Sequence, residues 1–330
     1  MELAASLRTA ARAVLAATTL TLVVSCSHSD SGGTITVGAG SSAQSELIAE
    51  IYAGALARTG AHTAVSARLG GRGDYLAALD ADRVTLVGDD SGDLLTALDP
   101  RSTARVSDPD AVSARASEAT GTTVAPAAPG SSVSDALSRA MPEGLVISDI
   151  ADGTDLRPDF VLTAAEAARV PHSLPDLAAH CGELSVGIAT GSELDPLRPA
   201  PDPQRDVLTP LRQVYGCDIA HYTVYPNDTA LRNALRGGRI QAGVLTAPAT
   251  LLPGGPGDLV AAADPDYAFR AQNIVPLFRQ GSLTETQIKK LNYVAGELTT
   301  EDLTTMIRRL RDEHASAADL ARSWLDEYDL

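Results

Sequence analysis

The chain of 330 residues predicts an α/β protein with two lobes of similar build. Three observations predict it. Strand-like and helix-like segments alternate along most of the chain, which implies parallel sheets joined by crossover helices. One helix-to-strand junction recurs: Ala78-Leu79-x-x-x-Arg83-Val84 is echoed by Ala234-Leu235-x-x-x-Arg239-Ile240. About 300 residues remain after an export leader, enough for two ordinary cores.

The leader comes first. Arg8 and Arg12 precede Ala13 to Val24, an almost uninterrupted apolar run without charge. That run is too short to span a bilayer comfortably and has the length of a signal-peptide core. It ends in Val23-Val24-Ser25-Cys26, the pattern of a lipoprotein cleavage site, so residues 1–25 are read as a signal peptide and Cys26 as the acylated thiol. Residues 26–33 form a Gly- and Ser-rich tether, placing the body on the outer face of the cell membrane. No later stretch is long and apolar enough to cross a bilayer.

The elements of the body follow in order. Thr34 to Val37 reads as a strand running into the Gly38–Ser42 turn, then a helix with a 3.6-residue stripe of Leu47, Ile48, Ile51, Tyr52, Ala55 and Leu56, stopped by Gly60. Next come a strand (63–69), the Gly70-Gly71 turn, a helix through Tyr75 and Leu79, and a strand (84–87) ending in the polar turn Gly88-Asp89-Asp90-Ser91-Gly92. Residues 99–131, rich in Ser, Thr, Ala, Pro and Asp, read as a loosely structured excursion. A helix (133–140) and strands (145–148, 160–163) lead to a second unit: strand 184–189, helix 207–215, strand 219–225, helix 229–235, strand 240–245 and the turn Thr246-Ala247-Pro248. Three helices close the chain, at 284–297 behind a Thr-x-x-Gln capping pattern, 301–311 and 317–328.

Composition excludes some functions. A formal charge of −16 speaks against nucleic acid, which requires clustered Lys and Arg. With Cys26 acylated, Cys181 and Cys217 remain, and two cysteines in an exported body pair. Each directly precedes a strand of the second unit, so adjacent parallel strands would place both thiols at one edge. His172 and His180 read as surface histidines, and no metal or other cofactor is expected.

Ligands of open parallel sheets sit beyond the carboxyl ends of the strands. Two facing lobes would gather such turns on one cleft, making Gly40, Ser41, Ser42, Asp89, Asp90, Ser91, Tyr225, Asn227 and Thr246 the candidate ligand-binding residues.

From Ile35 onward the chain resembles the extracytoplasmic binding proteins of ABC importers for glycine betaine, choline, carnitine and related osmoprotectants. The residues that carry the resemblance are Ile35-Thr36-Val37-Gly38, Glu50-Ile51-Tyr52, Leu69-Gly70-Gly71, Pro142-Glu143-Gly144-Leu145, Ser173-Leu174-Pro175-Asp176-Leu177-Ala178, Val214-Tyr215-Gly216, Ala271-Gln272-Asn273-Ile274-Val275-Pro276-Leu277 and Leu298-Thr299-Thr300-Glu301-Asp302-Leu303. The resemblance implies a venus-flytrap periplasmic-binding-protein fold of type II, with lobe 1 over 34–164, lobe 2 over 165–271, and 272–330 returning to lobe 1. It implies a monomer that hands a small solute to a permease and ATPase, and no catalysis. An orphan ligand-binding lipoprotein presenting its liganded state to a sensor is the alternative.

The departures concern the ligand. Where the family carries Tyr-Pro-Glu-Tyr-Thr-Gly, whose tyrosines help box a quaternary ammonium, this chain reads Val87-Gly88-Asp89-Asp90-Ser91-Gly92, and Thr246 replaces an aromatic of the second lobe. Only Tyr225 is left as an aromatic expected at the cleft, and a polar or amine-bearing solute is expected in place of a betaine. An oxidoreductase reading rests on Gly38-x-Gly40-x-x-Ala43, but Ser66-Ala67-Arg68 stands where the next strand should end in an acid. Hydrolase chemistry lacks a Gly-x-Ser-x-Gly elbow, and Arg72-Gly73-Asp74 reads as a chance tripeptide at a helix start.

Overall fold

The computed structural model describes residues 33–107, 132–191 and 200–330. Cys26 and most of the 99–131 excursion lie outside the described residues.

Two five-stranded sheets organise the body. The first contains β1 (Ile35–Gly38), β2 (Thr63–Ser66), β3 (Leu86–Asp90), β4 (Leu145–Ile147) and β10 (Ile274–Arg279), in the order β2-β1-β3-β10-β4. The second contains β5 (Phe160–Thr163), β6 (Ser185–Ala189), β7 (His221–Tyr225), β8 (Ala242–Val244) and β9 (Leu259–Ala261), in the order β7-β6-β8-β5-β9. In each sheet three strands run parallel, β2-β1-β3 and β7-β6-β8, as the strand–helix alternation requires. The sheets are nevertheless mixed. β10 is antiparallel to β3 and β4, and β5 is antiparallel to β8 and β9, because each is reached when the chain crosses between the lobes. β5 pairs in the second sheet, although it falls inside the span assigned above to lobe 1.

The first helix, α1 (Ala43–Ala57), begins where the Ser42 hydroxyl accepts the Ser45 N–H at 3.1 Å. Its whole predicted stripe, Leu47, Ile48, Ile51, Tyr52, Ala55 and Leu56, is buried. α1 packs hard on β3 because Gly88 lacks a side chain: a Cβ there would stand 2.3 Å from Cγ2 of Ile48. α2 (Arg72–Asp80) joins β2 to β3. α3 (Ser91–Leu98) follows β3 without a break, so the polar turn expected at Gly88–Gly92 is the end of a strand and the first turn of a helix. α4 (Val133–Ala140) and two short helices, α5 (Ala164–Ala167) and α6 (Leu174–Leu177), lie between the two parallel units. α7 (Thr209–Tyr215), entered through a π-helical turn, and α8 (Asp228–Arg236) serve the second sheet. The last three helices are α9 (Glu285–Glu297), α10 (Thr300–Asp312) and α11 (Ala317–Glu327). They share one buried cluster with Ile35, Leu47 and Ile51, so the chain end packs on the first sheet's side.

The crossing segments are tied to each other. Asp155 in the first meets Arg157 at 3.0 Å, and Arg157 reaches Asp264 of the second at 3.5 Å with its guanidinium 3.9 Å over the Tyr267 ring. Cys181 and Cys217 form the expected disulfide, Cα to Cα 5.4 Å, just ahead of β6 and β7. Among the described residues no helix is long and apolar enough to cross a membrane.

Candidate functional site

The carboxyl ends of β1 and β3 and the start of α2 enclose a small cavity of about 20 Å³, room for one water-sized group. Gly40, Ser41, Ser42, Asp89 and Asp90 all line it, so five of the nine residues selected from sequence converge here. Ser91 is fully buried beside them as the first residue of α3, where its hydroxyl accepts the Asn273 N–H at 3.1 Å.

Neither aspartate decorates an exposed turn: Asp89 is 5% and Asp90 4% exposed. Burying a carboxylate is costly unless it is paired, and both are. Arg72 donates to Asp89 from Nε at 3.0 and 3.2 Å and from Nη2 at 2.7 Å. The Tyr75 hydroxyl donates to the same carboxylate at 2.8 Å and the Asp90 N–H at 2.7 Å. Burial opposes the Arg72 charge, but the attraction of Asp89 outweighs it and raises the guanidinium pKa. Burial, reinforced by the same carboxylate, raises that of Tyr75, so its phenol stays a neutral donor. Asp89 is thus committed to its own chain. Asp90 accepts from Nε2 of Gln44 at 2.8 Å.

The second lobe supplies a cluster of its own. Asn227 caps α8 by accepting the Ala230 N–H at 2.8 Å. Asp228 accepts the Thr246 N–H at 2.9 Å and the Thr246 hydroxyl at 2.7 Å, fixing the end of β8 to the start of α8. Tyr225 is the last residue of β7. Its ring packs over Gly187, close enough that a Cβ there would lie 3.0 Å from Cε2, with the apolar cluster of Leu231 and Ile240. The aromatic ring at the first lobe's cavity is that of Tyr75.

Sequence reasoning missed Gln44, Arg72, Tyr75 and Asp228. Arg72 was set aside within a chance tripeptide, although the Gly70-Gly71 turn just before it is what lets α2 start at the strand ends. Gln44 carried a readable signal: a long polar side chain in the first turn of a helix, next to an apolar stripe.

A two-lobed body with paired parallel units, and a polar cavity at the strand ends of one of them, is a build suited to holding a small solute. Over residues 33–327 the chain matches the family described as the substrate binding domain of the ABC-type glycine betaine transport system, and it belongs to that family. Its role is therefore solute delivery to an ABC importer. The fold is shared with the crystal structure of a glycine betaine/carnitine/choline ABC transporter, at a TM-score of 0.65 and 15% identity, covering 89% of this chain and 98% of that one. It is shared also with apo YehZ from Escherichia coli, at a TM-score of 0.62, 15% identity and the same coverages. No curated protein sequence matches the chain.

Proposed function

We propose that this protein is a lipid-anchored, monomeric receptor that closes on a small polar or amine-bearing solute and presents it to a permease and its ATPase. The observation that carries the ligand class is the cavity itself: buried Asp90 and Gln44 at the strand ends, with the single ring of Tyr75. A quaternary ammonium is held best by several ring faces, each worth roughly 0.5–2 kcal/mol when desolvated. The family's description as a glycine betaine transport component supports a small solute. Candidate solute contacts are Gly40, Ser41, Ser42 and Asp90 from the first lobe, and Asn227 and Thr246 from the second. The anchor is Cys26, and two lipid chains on it would give stable membrane attachment.

Calorimetry of the full-length protein in detergent against glycine betaine, choline, carnitine and their less methylated amines tests the ligand class. The reading expects binding by at least one amine, and ATPase stimulation by that solute when protein and importer share a proteoliposome. Absence of binding across the panel contradicts it. Cys26→Ala should move the protein out of the membrane fraction, and unchanged fractionation and mass would refute the anchor.

A further inference from the structure

We propose that Gln44 is a specificity-determining residue of the solute site, one that selects a ligand group carrying N–H or O–H donors against a fully methylated ammonium. The inference rests on the reading of this cavity as the solute site and deepens it. Gln44 stands in the first turn of α1 and is 6% exposed. A buried amide that leaves a polar atom unmatched is destabilising, so such an atom requires an occupant. Its Nε2 donates to Asp90 at 2.8 Å. A carboxylate only accepts, and this fixes which way the amide points. The carbonyl Oε1 is the other half of that amide, and it is buried without a hydrogen-bond partner among the described residues.

The cavity that Gln44 lines has room for one water-sized group, and the neighbouring acid is already matched, Asp89 by Arg72 and Tyr75. Asp90 is engaged too, by Nε2 of Gln44, so the acceptor left to an incoming group is Oε1. A primary ammonium or a hydroxyl fits: one N–H or O–H satisfies Oε1. A trimethylammonium has no such hydrogen and would seal Oε1 against carbon. The cost of leaving a buried acceptor unmatched sets the discrimination at about tenfold or more at the last methyl.

Calorimetry on the full-length protein in detergent tests this with two graded probe sets, glycine to glycine betaine and ethanolamine to choline, each one methyl at a time. Affinity should fall with methylation in the set that binds, with the largest loss, tenfold or more, on the last methyl. In Gln44→Met, which keeps the volume and removes the acceptor, the series should flatten. Affinity that holds or rises toward glycine betaine or choline overturns the inference while leaving a solute receptor in place. So does a series in Gln44→Met as steep as the wild type. Failure of every probe overturns it too and assigns Oε1 to a buried water, while carnitine binding, with stimulation of the importer's ATPase by carnitine, leaves the receptor reading in place. The wild-type series alone decides the matter if Gln44→Met does not fold.

Discussion

Arg72 grips the Asp89 carboxylate with Nε and Nη2, the shortest contact 2.7 Å, and both side chains are withdrawn from water. The pair joins the start of α2 to the end of β3 and floors the cavity. Removing one member of such a pair leaves an uncompensated buried charge, which costs about 3–5 kcal/mol. Arg72→Met is expected to lose stability of that order in urea titration, and Arg72→Met/Asp89→Leu to regain a large part of it. A single mutant with a wild-type midpoint would mean the pair is not held as described.

The disulfide closes a loop of 36 residues between the entries of β6 and β7. Constraining the unfolded chain by a loop of this length is worth about 4 kcal/mol. Reduction, or Cys181→Ala/Cys217→Ala, should lower the melting temperature by several degrees without altering α1 or the first sheet. Two free thiols in unfolded, unreduced protein would contradict the pairing.

Asp159 stands at the entry to β5 and accepts the Ala249 N–H at 2.8 Å. Burial raises its pKa to about 6. The folded state then binds its proton more tightly than the unfolded state, where a carboxyl titrates near 3.9. The resulting stabilisation is full below about pH 4 and is lost as pH rises through about 6. Asp155 is shifted in the same direction, also by burial. Asp159→Asn keeps the acceptor and removes the titration. The fall in melting temperature between pH 4 and pH 6.5 should become shallower in that variant, and an unchanged slope would assign the titration elsewhere.

The fold was legible where a pattern reports a face. The stripe of α1 could be read because all six of its residues are buried on one side, and the capping pattern of α9 because Thr284 and Gln287 exchange hydrogen bonds, at 3.3 Å and 2.8 Å. The strand β10 was not read. Pro276 sits inside it, and proline argues against a central strand, yet β10 lies between β3 and β4 with Pro276 opposite Gly88. α3 was lost because Ser91-Gly92-Asp93 has the chemistry of a turn as well as of a helix start. For the site, the polar residues at strand ends were readable one by one, but their partners were not. Arg72 meets Asp89 only because β2 and β3 flank β1, a fact of topology that no local spacing records.

Solute binding at the β1–β3 corner is the central claim, and Ser41 tests it most directly. Ser41 is exposed and lines the cavity, so Ser41→Trp fills the mouth without disturbing the core. The measurement is calorimetric titration of wild type and Ser41→Trp, full length in detergent, with the best-binding amine of the methylation series. The account predicts saturable binding in the wild type and at least a tenfold loss in Ser41→Trp, with the melting temperature in the absence of solute unchanged. Equal affinity in the two proteins would place the solute elsewhere and contradict the assignment.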